Sequence, residues 1–189
     1  MAEKRKNWNG LISGFRASDL VFLDESGCNT DMTRRYAYSL GGSRAVDSAP
    51  LSKPTNTTIL SSIQLDGTLH YTTFSGGTTV EKFKQYLKTD LLPHLNGDSV
   101  LVMDNMKSHH AKAVKNLLDS SGVRYIYLPP YSPDLNPIEK LWSKVKSFLR
   151  KFKARTLDAL PNAIQCAFQT VSPSDCSGWF HSCGYSPYF

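Results

Sequence analysis

The sequence lacks long hydrophobic runs, and none of its apolar stretches approaches the roughly 20 residues that a membrane-spanning helix needs. The basic opening segment MAEKRKNWNG is followed only by LISGF, which is too short for the apolar part of a secretory signal peptide. With 40% hydrophobic and 20% charged residues over 189 positions, the composition is that of a globular protein. We therefore expect a cytoplasmic protein with one domain and one sizeable core.

Cysteines are also few, four in all, and no two of them form a CxxC pair. Because the sequence shows no secretory signal, we interpret them as free thiols and not as a disulfide framework. Cys176, His181 and Cys183 lie close together in the sequence, but a fourth zinc ligand is not evident and the spacing is not that of a zinc finger. The pattern favours a packed C-terminal segment over a metal site.

Acidic residues are absent from residues 140–155. That segment carries seven basic residues, which are Lys140, Lys144, Lys146, Arg150, Lys151, Lys153 and Arg155. The chain has 22 basic residues in all, so the other 15 stand against 16 acidic residues, and this one segment accounts for the net charge of +6. Such a concentration indicates an anion-binding face, and it favours a nucleic acid as partner over an ordinary solvated helix.

The apolar pattern predicts several strands and then alternating helices and strands. Strands are predicted over DLVFLDESG (19–27), RRYAYSL (34–40), a hairpin that turns at Asp66-Gly67, SVLVMDN (99–105) and RYIYLP (124–129). Helices are predicted over about 78–92, over 109–122 with a left-handed end at Gly122, from Asn136 onward, and over about 156–170 with Thr156 as cap. This order predicts an α/β domain with helices on a mixed sheet.

Two of the predicted buried strands end in an aspartate, Asp24 and Asp104. If these strands are parallel neighbours, both side chains lie at the same carboxyl edge of the sheet, where α/β sheets bind ligands. Two carboxylates that close repel each other unless one is protonated or a cation lies between them, and Mg²⁺ favours such oxygen ligands. The alternative is that each aspartate simply begins a turn, as aspartate often does.

Glu139 is the third candidate, and two interpretations of it stay open. Asn136, Pro137, Ile138 and Glu139 fit the first positions of a helix, so Glu139 could belong to a capping box. The helix would bury a stripe made of Ile138, Leu141, Trp142, Val145, Phe148, Leu149 and Phe152. Glu139 borders that stripe, with Lys146, Arg150 and Lys153 on the same flank, as a metal site beside an anionic polymer would require.

Three stretches, VFLDESG (21–27), LVMDN (101–105) and YLPPYSPDLNPIEKLWSKVK (127–146), closely resemble the catalytic domain of mariner-like DDE transposases, in particular the bacterial insertion-sequence branch. The similarity extends from about Leu20 to GWFHSCGY (178–185). A spacing of 34 residues between Asp104 and Glu139 would arise by chance in many proteins. The sequence contexts around the two residues would not.

The resemblance implies an RNase H-like fold in which Asp24, Asp104 and Glu139 hold two Mg²⁺ or Mn²⁺ ions. The ions would activate water for cleavage of DNA at the element ends, and the freed 3′-hydroxyl for attack on target DNA, usually at TA. It implies supporting roles for Asn105, His109, Asn136 and Asp134. Glu25 is left out of the site because strand alternation directs it to the opposite face.

The resemblance also sets expectations for domains and partners. Residues 1–19 would be an N-terminal extension and residues 20–189 the catalytic domain, without the helix-turn-helix domains that precede it in the family. The partners would be double-stranded DNA of the terminal repeats and the target, and a second copy of the chain when DNA is bound, with 41–54 as a contact arm. The location would be bacterial cytoplasm, at the nucleoid.

The sequence assigns the DNA contacts to basic residues of the helix that carries Glu139. These are Lys140, Lys144, Lys146, Arg150 and Lys153, of which Lys146 and Arg150 are expected nearest the metals. Two other functions remain open, a stand-alone RNase H-like nuclease or resolvase and a non-catalytic DNA-binding protein derived from a transposase. The proline-rich approach to Glu139 disfavours the first, and the presence of all three carboxylates disfavours the second.

Overall fold

The structure is a computed structural model that describes residues 2–34, 36–48, 50 and 54–185. Within these residues the strands are β1 (Leu20–Cys28), β2 (Thr57–Ile63), β3 (Leu69–Ser75), β4 (Val100–Met103) and β5 (Arg124–Tyr127). The α-helices are α1 (Ala2–Ile12), α2 (Val80–Tyr86), α3 (Lys112–Ser121), α4 (Ile138–Phe152), α5 (Ala159–Gln169) and α6 (Pro173–Ser182). None of the described helices is long and apolar enough to span a bilayer.

The strands form one mixed sheet in the order β3-β2-β1-β4-β5. β1, β2 and β3 are antiparallel neighbours, whereas β4 and β5 run parallel to β1. The predicted hairpin is confirmed: β2 and β3 flank a tight turn in which Gly67 has a φ of 93°. A side chain at this glycine would also press on Pro173, since a Cβ there would lie 3.0 Å from the Pro173 Cα.

Side chains of β1 alternate between two apolar cores, one on each face of the sheet. Leu20 and Phe22 pack with α4, α5 and α6, while Val21 and Leu23 pack with α2 and α3. Both faces of the sheet are therefore covered by helices, and the predicted α/β architecture with a mixed sheet is confirmed.

The predicted N-terminal extension contains α1, which packs against the domain. Trp8 is only 3% exposed and belongs to the core on the α4 side of the sheet. Its indole Nε1 donates a hydrogen bond to the Tyr185 hydroxyl at 3.2 Å, near the C-terminal end of the described chain. The helix thus joins the two ends of the described chain.

The four cysteines are free, as predicted, and three of them, Cys28, Cys176 and Cys183, are buried. The described residues contain no group of three or more histidine, cysteine, aspartate or glutamate side chains arranged to chelate one ion. Cys176 and Cys183 instead pack in the core with Phe180. The C-terminal segment is therefore packed, in agreement with the preferred interpretation of its sequence.

The strand predicted over RRYAYSL is wrong. Arg34 and residues 36–40 form no strand, and the side chains of Tyr36 and Tyr38 are almost fully exposed. Alternation stabilises a strand only where a neighbouring strand accepts its hydrogen bonds and one face is buried. Here β2 already has β1 and β3 on its two sides, and Arg34 and residues 36–40 pair with neither edge strand of the sheet, β3 or β5. The predicted contact arm at 41–54 lies partly outside the described residues.

Helix ends differ from prediction by a few residues. α2 continues into a π-helical turn at Leu87–Leu91 and a 3₁₀ turn at Leu92–His94. α3 begins at Lys112, so His109 lies in the preceding turn, and it ends at Gly122 with a φ of 73°, as predicted. α5 begins three residues after Thr156, whose hydroxyl still accepts the Ala159 N–H.

Helix α6 was not predicted. Ser172 and Asp175 form a capping box at its start, where each side chain binds the other residue's backbone N–H. The pair was visible in the sequence as Ser-Pro-Ser-Asp, three residues apart and before a Trp-Phe pair.

Candidate active site

A cleft of about 570 Å³ opens at the carboxyl end of β4, where the pairing of β1 with β4 ends. Its lining includes all three predicted carboxylates, Asp24, Asp104 and Glu139, together with Asn105 and Asn136. The parallel pairing of β1 and β4 explains the first two, because it stops at Leu23 and Met103, one residue before each aspartate. Residues that lie far apart in the sequence thus share one cleft at the sheet edge.

Asp24 does not end its strand, which corrects the prediction. β1 continues to Cys28 because it stays paired with β2, and only its pairing with β4 ends at Leu23. Beyond that point the β4 side of the strand is uncovered. Asp24 therefore lies in a continuous strand at a place where the sheet opens, which is a more rigid setting than a turn.

Both oxygens of Asp24 accept hydrogen bonds from the protein. Oδ1 accepts from the Glu25 backbone N–H at 2.7 Å, and Oδ2 accepts from the indole Nε1 of Trp142 at 3.2 Å. Burial raises the pKa of Asp24 to about 7, and the nearby charges of Asp104 and Glu139 add to that rise, while the two hydrogen bonds oppose it. A cation in the cleft would oppose this rise in the Asp24 pKa, because it stabilises the charged carboxylate.

Trp142 was predicted only as part of the buried stripe of α4. The stripe itself is largely confirmed, although Phe148 is only half-buried and Phe152 is 44% exposed where the helix leaves the core. A buried indole needs a partner for its N–H, and this requirement is the signal that could have identified the Asp24 contact. Because Trp142 and Glu139 both lie in the first two turns of α4, the same helix that presents Glu139 also binds Asp24.

Asp104 is held differently, through one oxygen. Its Oδ1 accepts the Met106 backbone N–H at 2.9 Å and lies 2.8 Å from Nδ1 of His109. Burial raises the Asp104 pKa, but the hydrogen bonds from His109 and Met106 outweigh burial and lower the pKa below its usual value. Asp104 is therefore charged at neutral pH, and its Oδ2 accepts no hydrogen bond within the described part of the chain.

Asn105 and His109, both predicted as supporting residues, have identifiable contacts. The Asn105 side-chain amide donates to the Leu128 carbonyl oxygen, which connects the end of β4 to the loop after β5. The His109 ring is fully buried and stacks on Phe83 with ring centroids 4.3 Å apart. Its pKa, lowered by burial but raised more by Asp104 and Glu25, is about 9.

Glu25 contacts His109 on the face of β1 that packs with α2 and α3, as strand alternation predicted, although Glu25 also lines the cleft. On that face its Oε2 lies 3.5 Å from Nε2 of His109. The separation is that of an ion pair, although the geometry is not that of a hydrogen bond, because neither atom has a hydrogen-bond partner among the described residues. Glu25 thus reaches Asp104 indirectly, a connection that the sequence did not reveal.

Glu139 does not form the capping box that its sequence context allowed. The Asn136 backbone N–H, which Glu139 would have to accept, instead donates to the Pro133 carbonyl oxygen at 3.1 Å. α4 begins without a side-chain cap, and the Glu139 side chain accepts no hydrogen bond from the described residues. Its carboxylate is exposed at the cleft and free to bind a ligand.

The loop before α4 is fixed by residues from both ends of the chain. Arg5 of α1 pairs with Asp134, and its Nη1 also donates to the Ser132 hydroxyl at 3.3 Å. The Tyr185 hydroxyl donates to the Leu135 carbonyl oxygen at 2.6 Å. Tyr131 adopts a left-handed φ of 56°, which turns the chain between two prolines. The position of Glu139 therefore depends on contacts far away in the sequence.

The basic residues of α4 divide into two groups. Lys140, Lys144 and Lys151 line a groove of about 810 Å³ that also contains Glu139, and Lys144 is paired with Asp175 there. Lys146 and Arg150, predicted nearest the metals, are half-buried and do not line this groove.

The end of α4 is engaged by the protein itself. Lys153 pairs with Asp47 at 2.6 Å, and Arg155 donates to the carbonyl oxygens of Thr30 and Met32. Two of the predicted DNA contacts thus already have an acidic partner: Lys144 pairs with Asp175, and Lys153 pairs with Asp47 on the segment between β1 and β2.

The donor set of the cleft is of the kind that binds a hard divalent cation, although Asp24, Asp104 and Glu139 do not form a cluster arranged around one ion in the described structure. It consists of oxygen atoms, which Mg²⁺ and Mn²⁺ prefer, and two of them, the Asp104 Oδ2 and the Glu139 carboxylate, are not used by described hydrogen bonds. The Asn136 Oδ1 in the same cleft is buried and has no hydrogen-bond partner among the described residues. The pKa of Asp24 is raised mainly by burial, and the charges of Asp104 and Glu139 add to the rise.

Comparison with known proteins gives the family. The sequence profile described as DDE superfamily endonuclease matches residues 19–161, about three quarters of the chain. The Tc1 transposable-element transposase of Caenorhabditis elegans is 28% identical over 92 residues, which are 49% of this chain and 34% of that protein. The chain spans about a third of the length of this curated relative.

Solved structures give the fold. The Mos1 transposase paired-end complex with the left transposon end has a TM-score of 0.80 at 20% identity, and the match covers 95% of this chain and 57% of that one. The Mos1 mariner paired-end complex with Mn has a TM-score of 0.72 at 20% identity, covering 95% and 58%. The RNase H-like fold expected from the sequence is thereby confirmed.

Proposed function

The chain belongs to the DDE superfamily endonuclease family, and from this membership and the cleft we propose that it is the catalytic domain of a DNA transposase. It would cleave DNA strands at the ends of a mobile element and join the freed 3′-hydroxyl to target DNA. The observation that carries the proposal is the convergence of Asp24, Asp104 and Glu139 in one cleft.

Asp24, Asp104 and Glu139 would hold two Mg²⁺ or Mn²⁺ ions. When bound, such ions supply Lewis-acid activation of the attacking oxygen and stabilisation of the leaving oxygen. The protein itself positions the three carboxylates. Trp142 binds Asp24, while His109 and the Met106 amide bind Asp104. The loop before α4 positions Glu139. The Mn in a Mos1 complex supports the choice of ion.

We propose that the DNA backbone follows the groove along α4. Lys140, Lys144 and Lys151 alternate there with Ser143 and Ser147, a combination of cations and hydroxyl donors suited to phosphate oxygens. The groove includes Glu139, so a strand lying in it would reach the cleft. Lys146 and Arg150, which do not line this groove, remain proposed contacts outside it.

Replacing Lys140 and Lys151 together by Ala should weaken DNA binding. The slope of log K against log salt concentration should also become shallower by about two, because two fewer phosphates are neutralised. The matched control is the Lys88→Ala, Lys112→Ala double variant, which removes the same charge from exposed positions elsewhere. Equal affinity and equal salt slope in both double variants would reject the groove as the DNA path.

Three finer assignments are also part of the proposal. The sequence YLPPYSPDLNPIEKLW supports the bacterial insertion-sequence branch, and with it a location at the nucleoid. A homodimer on DNA is supported by the large apolar side chains exposed between β1 and β2, which are Tyr36, Tyr38, Leu40 and Val46.

The test of the proposed function is Asp104→Asn. This change keeps the shape of the side chain but removes its charge, so Mg²⁺-dependent cleavage of DNA carrying the element's ends should fall by at least about a thousandfold. DNA binding measured in EDTA should be nearly unchanged, because the groove lysines are intact. Cleavage at the wild-type rate would reject the active-site assignment.

A further inference from the structure

The ring of His109 lies between two carboxylates and cannot turn. It is fully buried, stacked on Phe83 with ring centroids 4.3 Å apart, and the His109 carbonyl oxygen accepts the Tyr127 hydroxyl at 3.0 Å. A side chain enclosed in this way keeps one orientation because every alternative rotamer would meet packed atoms. The direction of its two nitrogens is therefore set by the fold.

The Nδ1 side of this ring determines which oxygen of Asp104 is available. Nδ1 lies 2.8 Å from Oδ1, and the Met106 N–H binds the same oxygen at 2.9 Å. With two donors on Oδ1, rotation of the carboxylate is restricted, and Oδ2 is presented without a described hydrogen-bond partner. Asp104 itself lines the cleft.

The Nε2 side of the ring faces Glu25. The distance from Nε2 to Glu25 Oε2 is 3.5 Å, and both atoms are buried without any other hydrogen-bond partner among the described residues. The Glu25 side chain is 12% exposed, and burying one oxygen of a carboxylate is costly unless a charge or donor faces it, so the position of Oε2 requires a reason. Stabilising the ring in the orientation that serves Asp104 supplies one.

We propose that Glu25 and His109 are positioning residues for metal binding: Glu25 fixes the His109 ring, and His109 fixes Asp104 with Oδ2 toward the ion. Adjacent residues of β1 would then serve the site from opposite faces of the sheet. Asp24 acts directly on one face, and Glu25 acts through His109 on the other. This inference rests on the proposed role of Asp104 as a metal ligand.

The experiment is a calorimetric titration of the full chain with Mn²⁺ in the absence of DNA. Glu25→Ala and His109→Ala should each weaken Mn²⁺ binding by about tenfold, the range known for residues that orient metal ligands. His109→Asn, whose amide nitrogen can replace Nδ1 but cannot reach Glu25, should bind Mn²⁺ more tightly than His109→Ala but more weakly than the wild type. Glu81→Ala, which removes an exposed glutamate from α2, is the control and should change nothing.

A merely structural role would give a different pattern. If Glu25 and His109 only stabilise the fold, their variants should lower the melting temperature while the folded fraction binds Mn²⁺ normally. The isosteric Glu25→Gln variant keeps the volume of the side chain and serves if the alanine variants fail to fold. Positioning also predicts that excess Mn²⁺ restores cleavage in Glu25→Gln but not in Asp104→Asn.

The outcomes separate this inference from the proposed function. Wild-type Mn²⁺ affinity in Glu25→Gln, Glu25→Ala and His109→Ala, with lost affinity in Asp104→Asn, would overturn the positioning role and leave the proposed function standing. Wild-type affinity in Asp104→Asn would overturn both. Tenfold weaker binding in the Glu25 and His109 alanine variants, with normal melting temperatures, would establish the positioning role.

Discussion

Asp24 and Asp104 lie where the parallel pairing of β1 and β4 ends, and both accept hydrogen bonds from the protein. Glu139, in contrast, comes from α4 and accepts no described hydrogen bond. The sheet also buries its carboxylate more than the helix does, since Asp24 is 8% exposed while Glu139 is exposed. The difference separates two tasks. The sheet holds Asp24 and Asp104 in a fixed geometry although the two carboxylates repel each other. The helix supplies a third carboxylate, Glu139, which is not used by a hydrogen bond and can bind a ligand.

The two aspartates differ from each other as well. Burial raises the pKa of Asp24 to about 7, while the donors around Asp104 keep its pKa below the usual value. At neutral pH one carboxylate is thus charged and the other is partly protonated. The division arises mainly from burial at Asp24 and from hydrogen bonds at Asp104, and the repulsion between the two carboxylates adds to it.

The largest effect is expected from Asp24→Asn in metal-free protein. The Asp24 pKa is 3.8 in the unfolded chain and about 7 in the folded protein, so the folded state binds the extra proton between these values. Metal-free stability therefore falls as the pH rises from about 4 to 7 and stays lower above that window. The amide introduced by this substitution carries no charge, so the variant should gain on the order of 3 kcal/mol at pH 8 in urea unfolding, yet lose cleavage.

The same substitution at Asp104 provides the control for Asp24→Asn. Asp104→Asn should not gain stability at pH 8, because the hydrogen bonds of Asp104 favour its charged form. If both variants were equally stabilised, or if neither changed the pH dependence, the contrast between the two aspartates would be incorrect.

Trp142→Phe should have the next largest effect. It removes the N–H that binds Asp24 Oδ2, and this hydrogen bond is stronger when Asp24 is charged. We expect a loss of about 2 kcal/mol at pH 8 and about 1 kcal/mol at pH 5 in urea unfolding. Phe148→Leu, on the half-buried part of α4, controls for repacking and should show no such pH dependence. A pH-independent loss in Trp142→Phe would mean that only packing connects the helix to the strand.

The smallest effect is expected from Arg5→Ala, which removes the contacts of α1 with Asp134 and Ser132. The loop before α4 should open more often, so amide hydrogen exchange at residues 131–136 should become faster while exchange in β4 is unchanged. Lys6→Ala, an exposed neighbour on the same helix, is the matched control. Unchanged exchange in the loop would show that the prolines and Tyr185 fix it without Arg5.

Much of the sheet could be predicted from the sequence because its signals are local. The buried runs around Asp24 and Asp104, the Asp66-Gly67 turn and the end of α3 at Gly122 each depend on a few adjacent residues. Arg34 and residues 36–40 show the same local alternation but form no strand, because a strand also needs a neighbouring strand that pairs with it. Local pattern alone contains no information about that.

The positions of the three carboxylates could be predicted, but what holds them could not. Trp142 looked like one more residue of an apolar stripe, and Arg5 belonged to a segment expected to be an extension. The contact of Glu25 with His109 crosses from β1 to the turn before α3. Such pairs are determined by the packing of distant elements, which periodicity does not encode.

The most direct test of the central claim is the Mn²⁺-induced change in melting temperature of Glu139→Gln. The account predicts that this variant melts within about 1 °C of the wild type without metal, since Glu139 makes no described hydrogen bond. It also predicts that Mn²⁺, which raises the melting temperature of the wild type, raises that of the variant far less. An equal rise in both proteins would show that the site binds metal without Glu139 and would contradict the claim.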